Sequence, residues 1–168
     1  MDNMVKRISV LMIILIFAFS LTSCASNQHV DKKEIGNTVE QMMEYIVNEN
    51  KSDLLNYFCS DIQENREEET LEEMEKAFEF INGNIVSYDY AGTGGGQETI
   101  HEGKTVFYDC RPEFRNVTTD TGYKYTVRFD YQHIWDERPE CEGITKITII
   151  NSDNRDSVIT IGRNYYQN

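Results

Sequence analysis

Tyr131, His133 and Trp135 stand at alternate positions near the end of a run in which aromatic residues recur at every second place. Residues two apart on an extended chain project from one face, so an imidazole would lie between a phenol and an indole. A histidine beside a phenolic donor, with Tyr108 in support, could act as a base next to a polarising group, the chemistry of an isomerase or dehydratase. The same residues suit a binding surface, because Tyr and Trp carry polar tips that a sealed core would have to satisfy. Plain packing is the third reading, since large aromatics also cover helices. Asp89, Asp109 and Asp130 cannot be placed on that face by alternation, so the base would be His133 alone. Trp135 is followed by a polar, proline-containing loop from Asp136, which puts it at a rim, with Tyr131 and His133 deeper along the same face.

Other reactive residues point away from metal or nucleotide chemistry. His29 and His101 lack neighbours at ligand spacing, so no metal and no cofactor is expected. Gly92-Thr93-Gly94-Gly95-Gly96 is followed by Gln97 and Glu98 rather than by the Lys-Ser/Thr and helix of a phosphate cradle. It reads as a hairpin loop or as a lip over a pocket. The acidic run Asp61 to Glu69 reads as a solvated connector, its spacing being too loose for calcium. Cys59, Cys110 and Cys141 are an odd set without a C-x-x-C pair. Either one disulfide forms and strands a thiol, or all three are small buried hydrophobes.

Cys24 is a different case. Lys6 and Arg7 precede an apolar run from Ile8 to Leu21, and small residues lead from it into the cysteine, the order of a secretory signal. About 20 apolar residues are needed to span a bilayer, and this run is shorter. Leu21-Thr22-Ser23-Cys24 resembles a bacterial lipobox, which implies that Cys24 becomes the lipidated first residue. The expected organisation is therefore a signal peptide over 1–23, a flexible tether over 24–34 and one domain over 35–168. Such a chain sits on the membrane through its lipid, facing outside the cytoplasm. Residues 1–23 carry one acid, Asp2, and two bases, Lys6 and Arg7, so their removal takes the formal charge from −13 to −14. That acidity repels phosphate backbones and excludes nucleic acid as a partner, leaving an unknown protein or small-molecule ligand.

Periodicity supplies the framework that carries these side chains. Ile35, Val39, Met42, Met43 and Ile46 recur at helical spacing and predict a first helix ending near residues 48–50. Ser52 is placed to cap a second helix that buries Leu54, Leu55 and Phe58. Thr70-Leu71-Glu72-Glu73 has the pattern of a capping box and opens a third, with Leu71, Met74, Ala77, Phe78 and Ile81 inward and Asn82-Gly83-Asn84 as the stop. Beyond Gly83 the period becomes two. Strands are expected over 85–90, over 106–114 with an edge or bulge at Pro112, over 123–135 after an Asp120-Thr121-Gly122 turn, over 144–150 and over 158–161. The fold class is α+β, three N-terminal helices packed on a curved antiparallel sheet of four to five strands.

The passage from Phe80 through Asn82-Gly83-Asn84 to Asp89, the glycine-rich loop, the Thr119-to-Tyr123 hairpin and the Gly143-Ile144 restart resemble an uncharacterised bacterial lipoprotein family, domain of unknown function 5104. The similarity covers roughly Val39 to Ile161. Helices followed by a curved antiparallel sheet are also similar to the NTF2-like cone, in which the sheet wraps a long helix. Cones of that kind host enzymes, ligand binders and interaction modules alike, so fold does not choose between them. The residues favour a non-enzymatic module that binds a ligand or protein through Tyr131, His133 and Trp135. The alternatives are an isomerase- or dehydratase-type enzyme and an immunity-type lipoprotein that blocks a basic toxin.

Overall fold

The computed structural model describes Val30 and residues 32–165; Cys24, the signal segment and most of the tether lie outside the described residues. Helix α1 (Lys32–Val47) buries Ile35, Val39, Met42, Met43 and Ile46 along one stripe, as the spacing requires. Helix α2 (Lys51–Leu55) is capped by Asn50 and not by Ser52. The Asn50 carboxamide oxygen accepts from the Asp53 amide at 3.2 Å and its nitrogen donates to the Asp53 carboxylate at 2.7 Å, a double hold that a serine cannot supply.

The connector expected over Asp61 to Glu69 is helical. Helix α3 (Ser60–Asn65) forms around Ile62, which is fully buried, and Asn65 donates back to Asp61 at 2.9 Å. Helix α4 (Glu67–Phe80) follows after Arg66 alone and starts three residues before the expected cap, with Glu67, Glu68 and Glu69 in its first turn against the helix dipole. Thr70 therefore lies inside the helix, its amide bonded to the Arg66 carbonyl at 2.9 Å. Glu73, freed from capping, accepts the Gly162 amide at 2.7 Å and ties α4 to the last strand.

Among the described residues seven strands form one antiparallel sheet: β1 (Ile85–Gly92), β2 (Glu98–His101), β3 (Lys104–Cys110), β4 (Glu113–Thr119), β5 (Lys124–Trp135), β6 (Gly143–Asn151) and β7 (Val158–Gly162). The count exceeds the expected four to five because two long strands are broken. β4 and β3 lie end to end along one side of β5, interrupted at Arg111-Pro112, and β1 and β2 flank them with the glycine run between. Proline cannot donate to a ladder, so the break falls there, while the Pro112 carbonyl still accepts the Phe129 amide at 2.9 Å. β6 pairs the other side of β5, and β7 lies outside it.

Phe114, Val117, Tyr125, Val127, Phe129, Ile147 and Ile149 are buried in the same core as the helical stripes. Gly83, at φ +92°, makes the turn from α4 into β1. A Cβ there would come within 2.4 Å of the Asp120 carboxylate, which instead accepts the Asn84 amide at 2.9 Å. The Tyr125 hydroxyl accepts the Asn82 amide at 2.9 Å, so the start of β5 and the end of α4 are joined by one phenol.

Candidate functional site

Strand β5 alternates cleanly from Tyr125 to Phe129 and then loses its phase. Tyr108 opposes Ile134 while the next pair is Asp109 with Gln132, which leaves His133 as an extra residue in the β3–β5 ladder. A bulge of this kind turns the residues beyond it to the other face. Phe107, next to Tyr108 on β3, opposes Trp135 and meets it edge to face at 5.4 Å. Tyr131 and His133 are together, with the Tyr131 hydroxyl 3.4 Å from the His133 Nδ1 and the Tyr108 ring 6.2 Å from the imidazole. Trp135 is not with them, so the single face expected for all three is split in two.

The Tyr131–His133 side of β5 is closed chemistry. Burial pushes the Tyr131 phenol up to about 12, with the nearby Cys110, Glu34 and Glu142 acting in the same direction. Cys110, directly opposite Tyr131, is raised to about 12 for the same first reason. A phenol and a thiol held neutral in this way pack and hydrogen-bond; neither supplies an anion near neutral pH. Cys59 and Cys141 are likewise buried thiols, and no cysteine pair among the described residues forms a disulfide.

Trp135 opens onto a concavity of about 610 Å³, which it lines with Phe107, Ile100, His101 and Gln97. Three elements build it. β2 is a sheet edge with all four residues exposed, and Ile100 is 61% accessible, an unusual position for so large an apolar side chain. β3 supplies Phe107, and the end of β5 supplies Trp135, whose amide donates to the Glu142 carboxylate at 2.7 Å. Arg138 covers the indole from 5.0 Å, a cation–π contact that fixes the ring at the rim. Tyr131 and His133 do not line this groove. Phe107 and Ile100 are not legible as site residues from the sequence, because the strand expected over 106–114 does not reach β2 and gives no register against Trp135.

The glycine run is tied down. Gly94 accepts the Arg111 amide at 3.0 Å, Gln97 accepts the Asp109 amide at 3.1 Å, and a Cβ on Gly96 would lie 2.1 Å from the Asp109 carbonyl oxygen. The loop with Lys32 and Tyr108 borders a second concavity of about 420 Å³. Among the described residues no cluster of His, Cys, Asp and Glu could hold a metal, and no helix is long and apolar enough to cross a membrane.

Comparison with known proteins adds one fact about this region. A family model described as Domain of unknown function (DUF5104) matches residues 41–152, a span that includes every residue of the Trp135 groove. No curated protein matches the chain.

Proposed function

The chain belongs to the DUF5104 family, and on that footing we propose that it is a lipoprotein, anchored outside the cytoplasm through Cys24, whose domain is a non-enzymatic binding module of NTF2-like cone form. The cone reading is supported by α1, which packs in one core with the sheet: a Cβ placed on Gly36 of the helix would meet the Tyr90 ring at an ordinary contact distance of 3.6 Å, and Tyr90 in turn packs on Phe114 at 5.1 Å. The binding reading is carried by the groove in which Phe107, Trp135 and the exposed Ile100 face solvent beside an unpaired sheet edge. Exposed apolar surface of this kind mostly serves recognition. Its ligand is an apolar group with a planar face that stacks on the indole, either a small molecule or a side chain of an extended peptide lying along β2. An isomerase would depend on the Tyr131–His133 pair, which lies away from the groove.

The single tryptophan gives a direct test. Trp135 emission should be quenched by acrylamide and should shift saturably on titration with a neutral aromatic such as 2-naphthol. Ile100→Asp should abolish the shift while leaving the folded far-UV spectrum intact. Protection from acrylamide, or an equal response in Ile100→Asp, would overturn the groove as the site.

A further inference from the structure

The solvent face of the sheet carries a further concavity, distinct from the one at the glycine run, whose chemistry is opposite to that of the Trp135 groove. It measures about 580 Å³ and is lined by Arg115, Arg128 and Arg155, with Glu113, Thr126 and Ser152. Three guanidiniums and one carboxylate leave it at a formal +2, in a chain whose formal charge is −13.

The arginines are held in place from below. Glu113, whose side chain is 12% exposed, accepts from Arg128 Nε at 2.9 Å and Nη2 at 2.6 Å through one oxygen and from Arg115 Nε through the other. Both guanidiniums are thereby held by one carboxylate while staying accessible, Arg115 being 65% and Arg128 42% exposed. The backbone contributes as well. Phe114 pairs with Val127 and Val117 with Tyr125, so β4 carries an extra residue at Arg115-Asn116, with Asn116 at φ +52° and its carboxamide donating to Asp89 at 2.8 Å. Bulges re-aim side chains, and this one presents Arg115 to the hollow. Arg155 arrives from the β6–β7 turn, which Asn151 braces by accepting the Asp153 and Asn154 amides at 2.9 and 3.1 Å. Asp153 and Asp156 belong to that turn but do not line the hollow. Arg155 and the Thr126 and Ser152 hydroxyls make no side-chain hydrogen bond or ion pair among the described residues.

We propose that this concavity binds a phosphate monoester carried on a polyol. Guanidinium forks match tetrahedral oxyanions, and the lining's net +2, offset in part by Asp89 opposite Arg115 on β1, favours a phosphate dianion over a singly charged carboxylate. Free threonine and serine hydroxyls with the Asn116 carboxamide beside them suit the hydroxyls of the carrier.

Isothermal titration of the full chain in non-ionic detergent tests this, with glycerol 1-phosphate, inorganic phosphate and acetate as probes. Glycerol 1-phosphate should bind saturably, more tightly than inorganic phosphate and far more tightly than acetate. Its affinity should weaken as pH falls below about 6, where the second phosphate proton returns. Arg155→Ala should lower affinity about tenfold, the loss of one charge-assisted contact, with an unchanged melting temperature because Arg155 is exposed and unpaired. No saturable binding, acetate binding as tightly as glycerol 1-phosphate, or an Arg155→Ala chain of undiminished affinity would each overturn the proposal. Inorganic phosphate binding as tightly as glycerol 1-phosphate would remove the polyol from it.

Discussion

Tyr165 donates its phenolic proton to Asp61, while the Arg163 guanidinium lies 4.4 Å from its ring and donates to the same carboxylate at 2.7 Å. The Tyr165 bond, above all, holds the Asp61 carboxyl below its usual range, with Asn65 and Arg163 adding to it. A carboxyl whose folded pKa is depressed contributes stability that is fully present above the unfolded value of about 3.9 and is lost as pH falls through the folded value. Tyr165→Phe removes the largest cause, and Asp61 keeps Arg163 and some solvent, so a loss of about 1–2 kcal/mol at neutral pH is expected. Urea unfolding at pH 7 and again near pH 3 should show wild type and variant converging at the acid end. A constant gap across that range would mean that the Tyr165 hydroxyl acts without favouring the ionised Asp61 carboxyl.

Among the elements, β5 bears most on the rest, since β3, β4 and β6 all pair with it. Phe129 is fully buried at its centre and packs against Phe114 at 6.0 Å. Phe129→Ala should therefore cost about 3–5 kcal/mol, read as a fall in the denaturant midpoint; a loss below about 1 kcal/mol would mean that the site collapses around the missing ring. Helix α1 and the inner half of β5 were legible from spacing because one periodic stripe meets one core. Helix α3 was not, because six residues with a single apolar anchor carry no period, and only the burial of Ile62 makes that segment helical. The same holds for Thr70: the capping pattern is real as letters, but a helix arriving directly upstream satisfies the amides first.

At the scale of the molecule, the acidic chain divides its surface between an apolar groove at one sheet edge and an arginine-lined hollow on the solvent face. The anchor proposed for this chain is Cys24, which lies outside the described residues. Cys24→Ala is expected to leave the precursor uncleaved by the lipoprotein peptidase and unlabelled by a fatty-acid analogue; persistent labelling would refute the anchor.

The fold class, the order of helices before strands, the stop at Gly83 and the family resemblance can all be read from the sequence, because each depends on local periodicity or on a turn that only certain residues can make. The residues after the glycine run likewise suffice to exclude a phosphate cradle there. Which residues share a face of the sheet is decided only in three dimensions. One extra residue at His133 sends Trp135 to the opposite face from Tyr131, and one at Arg115-Asn116 aims a guanidinium into the hollow. A strand's period of two is so short that a single bulge inverts everything after it. Whether a ladder bulges depends on the partner strand's register, which a strand's own residues do not contain.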